Sequence, residues 1–192
     1  PFLRQGDLIE AQKISQAMIH ALHQETGEYF QGILYGGFIV TTNGVKLIEY
    51  NARFGDPEAL NVLPLLESDF VAILQAIVDQ NLSSLDIRFA NQATVCKYVV
   101  PKGYPDSPQQ HAELDLGSFP EDAKMYFGSV NEEGGKIYTS SSRAIGVVGI
   151  AGSITEAEQI AENAVQSIKG NVFHRPDIGT ESLIGSKVSF ME

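Results

Sequence analysis

Ile48-Glu-Tyr-Asn-Ala-Arg-Phe-Gly-Asp-Pro-Glu58 is the stretch on which the reading of this chain turns. It continues a strand-like run, Val45-Lys-Leu-Ile48, and places Glu49 and Asn51 two residues apart. In a strand that spacing sends both side chains to the same face. A carboxylate and an amide oxygen side by side suit a hard cation such as Mg²⁺, which keeps phosphate oxygens and waters as its other ligands. An exposed strand end carries the same pattern with no chemistry, so the surroundings have to decide.

Upstream, Gly32-Ile-Leu-Tyr-Gly-Gly-Phe-Ile-Val-Thr-Thr42 is rich in strand formers, and Asn43-Gly44 separates it from the next run. Asn-Gly between two such runs predicts a hairpin with positive φ at both turn residues. With a loop of those two residues, Thr42 faces Val45, Phe38 faces Glu49 and Gly36 faces Asn51. A residue without a side chain beside the polar pair leaves room for a polyphosphate, although a strand glycine equally marks a bulge. Downstream, Asp56 is a good N-cap, Pro57 suits a first helical position and Glu58 suits the helix dipole, which predicts a helix from Pro57 to about Leu63.

The remaining periodicities predict helices over Ile9 to about Thr26, with Asp7 as cap, over Ser68 to about Asn81, with Phe70, Ile73, Leu74, Ile77 and Val78 on one side, and from Thr155, with Thr155 and Glu158 as a capping box. Strands are expected over Ala93–Val100, Ala123–Val130, Lys136–Ser141 and Arg143–Ala151. His20 and His23 are three apart on the first helix without further ligands, which reads as a solvated face. The Tyr29-Phe-Gln-Gly32 run reads as the approach to a strand.

Composition excludes several classes. At 192 residues and 43% hydrophobic content the chain can bury a core as one large or two small domains. The net charge of −11, with 13 scattered Lys and Arg, argues against a nucleic-acid surface. No run approaches the length of a membrane span and no leader resembles a signal peptide. The single Cys96 lies in an alternating strand and reads as a core thiol in a reducing compartment, so a cytoplasmic protein is expected.

Tyr35-Gly-Gly-Phe-Ile-Val-Thr41 with Lys46-Leu-Ile-Glu-Tyr-Asn-Ala-Arg-Phe-Gly-Asp-Pro-Glu58 closely resembles the phosphoribosylamine–glycine ligases (glycinamide ribonucleotide synthetases) of the ATP-grasp superfamily. The resemblance continues through Leu63-Pro-Leu-Leu-Glu-Ser-Asp69, Val99-Val-Pro-Lys-Gly-Tyr-Pro105, the Arg-containing stretch from Tyr138 to Gly149, and Phe173-His-Arg-Pro-Asp-Ile-Gly179, so it spans nearly the whole chain. It implies an α+β fold: residues 1–89 as the C-terminal lobe of an ATP-grasp domain, an antiparallel sheet with helices, and residues 90–192 as the family's small, mostly β C-terminal domain with a late helix. It further implies an ATP-dependent carbon–nitrogen ligase of de novo purine synthesis, in which glycine is activated as glycyl phosphate and joined to 5-phosphoribosylamine, giving glycinamide ribonucleotide, ADP and phosphate.

The resemblance also assigns roles. Glu49 and Asn51 would hold Mg²⁺ (or Mn²⁺) and, with Leu47 against adenine, the nucleotide ATP; a core Leu explains Leu47 equally well. Arg53 would be the catalytic and substrate-positioning cation, its planar fork taking a carboxylate or phosphate, unless it merely pairs with Asp56 or Glu58 on the surface. Asp56, Glu58 and Arg175 are further substrate-binding candidates, with capping explaining the first two and a terminal turn the third. Arg143 reads as a surface residue at an edge strand that can also serve a phosphate site. Many ATP-grasp enzymes add an acidic ligand on the preceding strand; here the position is Gly36, which has none to offer.

Family members carry, ahead of this region, a nucleotide-fold-like domain and the ATP-holding lysines and Gly-rich flap, whereas this chain opens on Pro1-Phe-Leu-Arg-Gln-Gly-Asp7. The expectation is therefore a C-terminal portion whose partner is the missing N-terminal half of the same enzyme, besides the small-molecule substrates, with no nucleic acid and no membrane. The competing expectations are an isolated non-catalytic lobe or assembly module, and a purine-pathway relative using formate or carbonate.

Overall fold

The computed structural model describes residues 3–191. The chain divides into two compact units, residues 1–59 with 66–89, and residues 60–65 with 90–192. Among the described residues no helix is long and apolar enough to cross a membrane.

The first unit opens on helix α1 (Gln5–Thr26), which starts earlier than the apolar stripe suggests. Asp7 lies inside the helix and its carboxylate accepts the Arg4 N–H (2.8 Å), so Asp7 serves as the third helical residue and not as the cap. Gly27, at φ 76°, ends the helix. His23 stacks on Tyr29 with ring centroids 3.9 Å apart, which corrects the expectation of a solvated histidine.

Strands β1 (Tyr35–Thr41) and β2 (Gly44–Asn51) form the expected hairpin with a different register. The loop is Thr42–Asn43, and of the Asn-Gly pair only Gly44 takes a left-handed φ (85°). Thr41 Oγ1 holds the turn by donating to the Gly44 carbonyl (2.8 Å) and accepting from the Asn43 N–H (3.1 Å). Phe38 consequently faces Leu47, and beyond a bulge at Ile48 the partners are Gly37 with Glu49, Gly36 with Tyr50 and Tyr35 with Asn51. The earlier turn moves each pairing by two, and the extra residue in β2 takes one of these back beyond Phe38.

Helix α2 (Glu58–Val62) begins one residue later than expected and runs into a 3₁₀ turn at Leu63–Leu65. Asp56–Pro57 is a cis peptide, the Ala59 N–H bonds the Gly55 carbonyl (2.9 Å), and Pro57 precedes the first helical residue instead of being it. Helix α3 (Phe70–Val78) is capped by Asp69, whose carboxylate accepts the N–H groups of Val71 and Ala72. Its buried residues are Ile73 and Ala76, whereas Leu74 and Val78 face outward, contrary to the expected stripe.

The second unit is built on an antiparallel sheet of order β5-β8-β3-β9. Its strands are β3 (Ala93–Pro101), β5 (Ala123–Phe127), β8 (Ile145–Ala151) and β9 (Val172–Phe173), while β4 (Glu113–Leu114), β6 (Val130–Glu133) and β7 (Lys136–Thr139) make a second sheet of order β4-β7-β6. The expected strand over 123–130 is thus two strands broken at Gly128. Cys96 is buried in β3. Arg143 precedes β8, a central strand, and its guanidinium lies 4.9 Å from the Tyr98 ring centre, so the edge-strand reading is corrected.

Helix α4 (Ile154–Ser167) covers this sheet with Ala157, Ala161, Ala164 and Val165, all but fully buried. Gly149 in β8 admits the helix: a Cβ there would run into the Ala157 carbonyl and the Ala161 N–H. The cap is Ser153, which accepts the Glu156 N–H and donates to Oε2 of Glu156 (2.9 Å), two residues before the expected pair. Thr155 instead donates to Glu181 (2.9 Å) on helix α5 (Glu181–Met191), an element the sequence reading lacked.

Candidate functional site

The first unit carries Leu47, Glu49, Asn51, Arg53, Asp56 and Glu58, and the second carries Arg175. In the first, the bulge at Ile48 falls between Leu47 and Glu49, so that they lie across from the adjacent Phe38 and Gly37 and on opposite faces. Leu47 is 38% exposed and lies across from Phe38. Glu49 and Asn51 follow the bulge and do share a face: Asn51 Nδ2 donates to Glu49 Oε1 at 3.0 Å. Gly37, not Gly36, lies opposite Glu49, and a Cβ on Gly37 would sit 3.4 Å from Glu49 Cγ.

Strand β2 ends at Asn51, and Arg53 follows in a bend. Its guanidinium donates to the Phe54 carbonyl (Nη1 to O, 2.7 Å), which holds the fork beside its own backbone. Glu58 is held by a residue to which the sequence reading gave no role. The Tyr35 hydroxyl donates to Glu58 Oε1 at 3.0 Å across 23 residues. Burial, then the bond to Glu58, then the charges of Glu58 and Glu49 push the Tyr35 phenol up from its ordinary value, so it remains a donor. Gly55 is buried, and a Cβ there would collide with Glu58 Oε2 and press on Tyr35 Cδ1.

The donor set suits a hard cation in kind, one carboxylate and one amide oxygen on one strand face, with the Asn51 amide nitrogen turned toward Glu49. It does not complete a coordination shell, because among the described residues no group of three or more His, Cys, Asp or Glu could hold a metal ion. Most ligands would come from a polyphosphate and water, as Mg²⁺ prefers.

The second unit contains a buried ionic cluster that the sequence reading overlooked. Lys97 in β3 is 1% exposed, and its ammonium donates to Glu158 (2.6 Å), to Glu162 (2.5 Å) and to the Pro176 carbonyl (2.9 Å). His174 Nε2 also meets the Glu162 carboxylate (3.1 and 3.2 Å to its two oxygens). Burial opposes the charge on Glu162, yet bonds from Lys97, Gln166 and His174 outweigh it and hold the carboxyl at about 2. Arg175 makes a forked pair with Asp177 (3.0 and 2.5 Å), which raises the guanidinium and lowers the carboxyl from their ordinary values. Gly179 takes φ 83°, a left-handed conformation open to glycine.

Comparison with known proteins identifies the family of the chain. The family described as phosphoribosylglycinamide synthetase, ATP-grasp (A) domain, matches residues 1–59, and phosphoribosylglycinamide synthetase, C domain, matches residues 94–181. A phosphoribosylamine–glycine ligase of Methanosarcina acetivorans is 52% identical over the whole chain, which covers 43% of that protein. One from Methanocaldococcus jannaschii is 47% identical, with 100% of this chain and 44% of the relative aligned. The crystal structure of phosphoribosylamine–glycine ligase from Thermotoga maritima superposes with a TM-score of 0.67 at 25% identity, covering 81% of this chain and 39% of that one. The chain therefore spans less than half the length of the curated relatives it matches, and it belongs to the phosphoribosylamine–glycine ligase family.

Proposed function

We propose that this chain forms the C-terminal part of an ATP-dependent ligase that joins glycine to 5-phosphoribosylamine, giving glycinamide ribonucleotide, ADP and phosphate through glycyl phosphate, with the other half of the ATP grasp supplied by the rest of the enzyme. The observation that carries the reading is the Glu49–Asn51 pair, bonded on one strand face inside the stretch that the relatives share. Mg²⁺, or Mn²⁺ in its place, would be held by Glu49 and Asn51 and would neutralise charge on the phosphoryl group in transfer.

The protein's own contribution is positioning. Glu49 and Asn51 fix the metal-bearing end of ATP. Arg53 orients an anionic group with a planar fork, and Asp56 and Glu58 are further substrate contacts of the same unit; Arg175, in the second unit, is a separate substrate-binding candidate. Holding reactants in line supplies most of what acyl-phosphate chemistry asks of an enzyme. The test is to incubate the full-length protein with phosphoribosylamine, ATP and either glycine or formate. Glycine-dependent ADP and glycinamide ribonucleotide are expected; product formed only with formate would overturn the assignment.

A further inference from the structure

The Tyr35–Glu58 bond joins the start of β1 to the start of α2, and nothing in the local fold demands it. Helix α2 has its first bond from the backbone of Gly55, and β1 pairs with β2 through its own ladder. The phenol and the carboxylate meet because Gly55, between them, has no side chain. The result is a carboxylate fixed in orientation by a neutral donor that takes only Oε1. A lysine or arginine in that place would fix Glu58 equally well but would cancel its charge. Tyr35 holds Glu58 and leaves the negative charge available, and Glu49 lies near enough to raise the same phenol.

A fixed carboxylate with its charge uncancelled is complementary to an ammonium group. Of the two small substrates in the ligase reading, glycine is the one that carries a permanent ammonium at neutral pH, whereas the attacking amine of phosphoribosylamine must be neutral to act as a nucleophile. We infer that Tyr35 is a positioning residue that orients Glu58 to receive the ammonium group of the amino-acid substrate, with Gly55 providing the space for the pair. This rests on the ligase reading above and deepens it.

The test is steady-state kinetics of the full-length enzyme carrying Tyr35→Phe, Glu58→Gln, both together, or Gly55→Ala, with glycine, phosphoribosylamine and Mg–ATP varied in turn. Removing the hydroxyl frees Glu58 without removing it, so Tyr35→Phe should raise KM for glycine about tenfold, the effect of losing one hydrogen bond to a charged group. KM for phosphoribosylamine and for Mg–ATP should stay within about twofold. Glu58→Gln should raise the glycine KM further, and adding Tyr35→Phe to it should change nothing more, because Tyr35 acts through Glu58. Gly55→Ala should reproduce the Tyr35→Phe pattern by crowding. An unchanged glycine KM in Tyr35→Phe, with a lowered melting temperature, would make the pair structural and overturn the inference; so would equal rises in all three KM values. Wild-type turnover with glycine is the separate check on the ligase reading itself.

Discussion

Lys97 Nζ stands 2.5 Å from Glu162 Oε2 in a place where the lysine is 1% exposed, and this pair ties strand β3 to helix α4. With Glu158 and the Pro176 carbonyl, the ammonium has three acceptors for its three protons. Two of them sit one helical turn apart on α4, and the third belongs to the segment that follows β9. The cluster therefore fastens the Pro176–Gly179 loop to the core of the second unit.

Replacing Lys97 alone would strand two carboxylates that are 13% and 20% exposed beside each other. Lys97→Met is expected to cost roughly 3–5 kcal/mol, the usual result of removing one partner from a buried ionic cluster. The triple change Lys97→Met, Glu158→Gln and Glu162→Gln should recover part of that loss. Urea midpoints of the three proteins measure it, and a Lys97→Met midpoint equal to wild type would show that the cluster contributes nothing net.

The same pair sets a pH dependence. The Glu162 carboxyl is held at about 2 in the folded chain, against 4.5 for the free group. A lowered folded-state value means that the unfolded chain binds the proton first, so the stabilisation is complete above about pH 4.5 and is lost as pH falls toward 2. The size is on the order of 3 kcal/mol. Other carboxylates titrate in the same range, so the informative quantity is the difference between wild type and Glu162→Gln. That difference should shrink between pH 6 and pH 3; a constant gap would refute the assignment.

At the candidate metal pair, Glu49→Gln removes a charged ligand and keeps the shape and the bond to Asn51. The full-length protein should then need at least about tenfold more Mg²⁺ for half-maximal turnover, while its melting temperature stays within a few degrees. Asn51→Asp should be milder, since it keeps an oxygen and adds charge. Unchanged metal dependence with a lowered melting temperature would make the pair structural.

Gly149 tests the packing of α4 on the sheet. A methyl group there meets the backbone of Ala157 and Ala161, which cannot rotate aside as a side chain does. Gly149→Ala should therefore destabilise by about 1–3 kcal/mol, the range found for overpacking a dense core. Gly134→Ala makes the contrast: nothing lies within 4 Å, and only the left-handed φ of 60° resists it, so a smaller loss is expected. Equal losses at the two positions would contradict this account of the helix–sheet contact.

How far the sequence reveals this structure depends on the range of the interaction. The β1–β2 hairpin, α3 and the long strands β3 and β8 follow from local pattern, because apolar periodicity and turn residues act over a few positions. The hairpin register does not follow, since the turn at Thr42–Asn43 shifts it by two, the bulge at Ile48 takes one of these back, and neither has a compositional signature beyond a glycine. Lys97 reads as an ordinary interruption of an apolar strand because its partners lie 61, 65 and 79 residues away. The available signal was a lone lysine in a buried strand together with Glu158 and Glu162 at helical spacing on the face of α4 that also carries Ala161 and Val165. Tyr35 stood inside a recognised motif, yet its bond to Glu58 depends on a chain path through Gly55 that only the fold supplies.

Arg53 separates substrate work from surface pairing. In the structure one of its nitrogens is committed to the Phe54 carbonyl, which orients the planar fork and leaves other N–H groups to meet an anion. An ammonium cannot reproduce both a backbone bond and a forked pair from one centre. Arg53→Lys in the full-length enzyme should therefore lower kcat/KM about ten- to a hundredfold, the equivalent of roughly 1.5–3 kcal/mol for a lost charged hydrogen bond. A purely structural arginine on the surface would cost less than about 1 kcal/mol of stability and leave the kinetics intact. Varying glycine and phosphoribosylamine in turn identifies which anion Arg53 holds, since the KM for that substrate alone should rise. Wild-type values for both would remove Arg53 from the site.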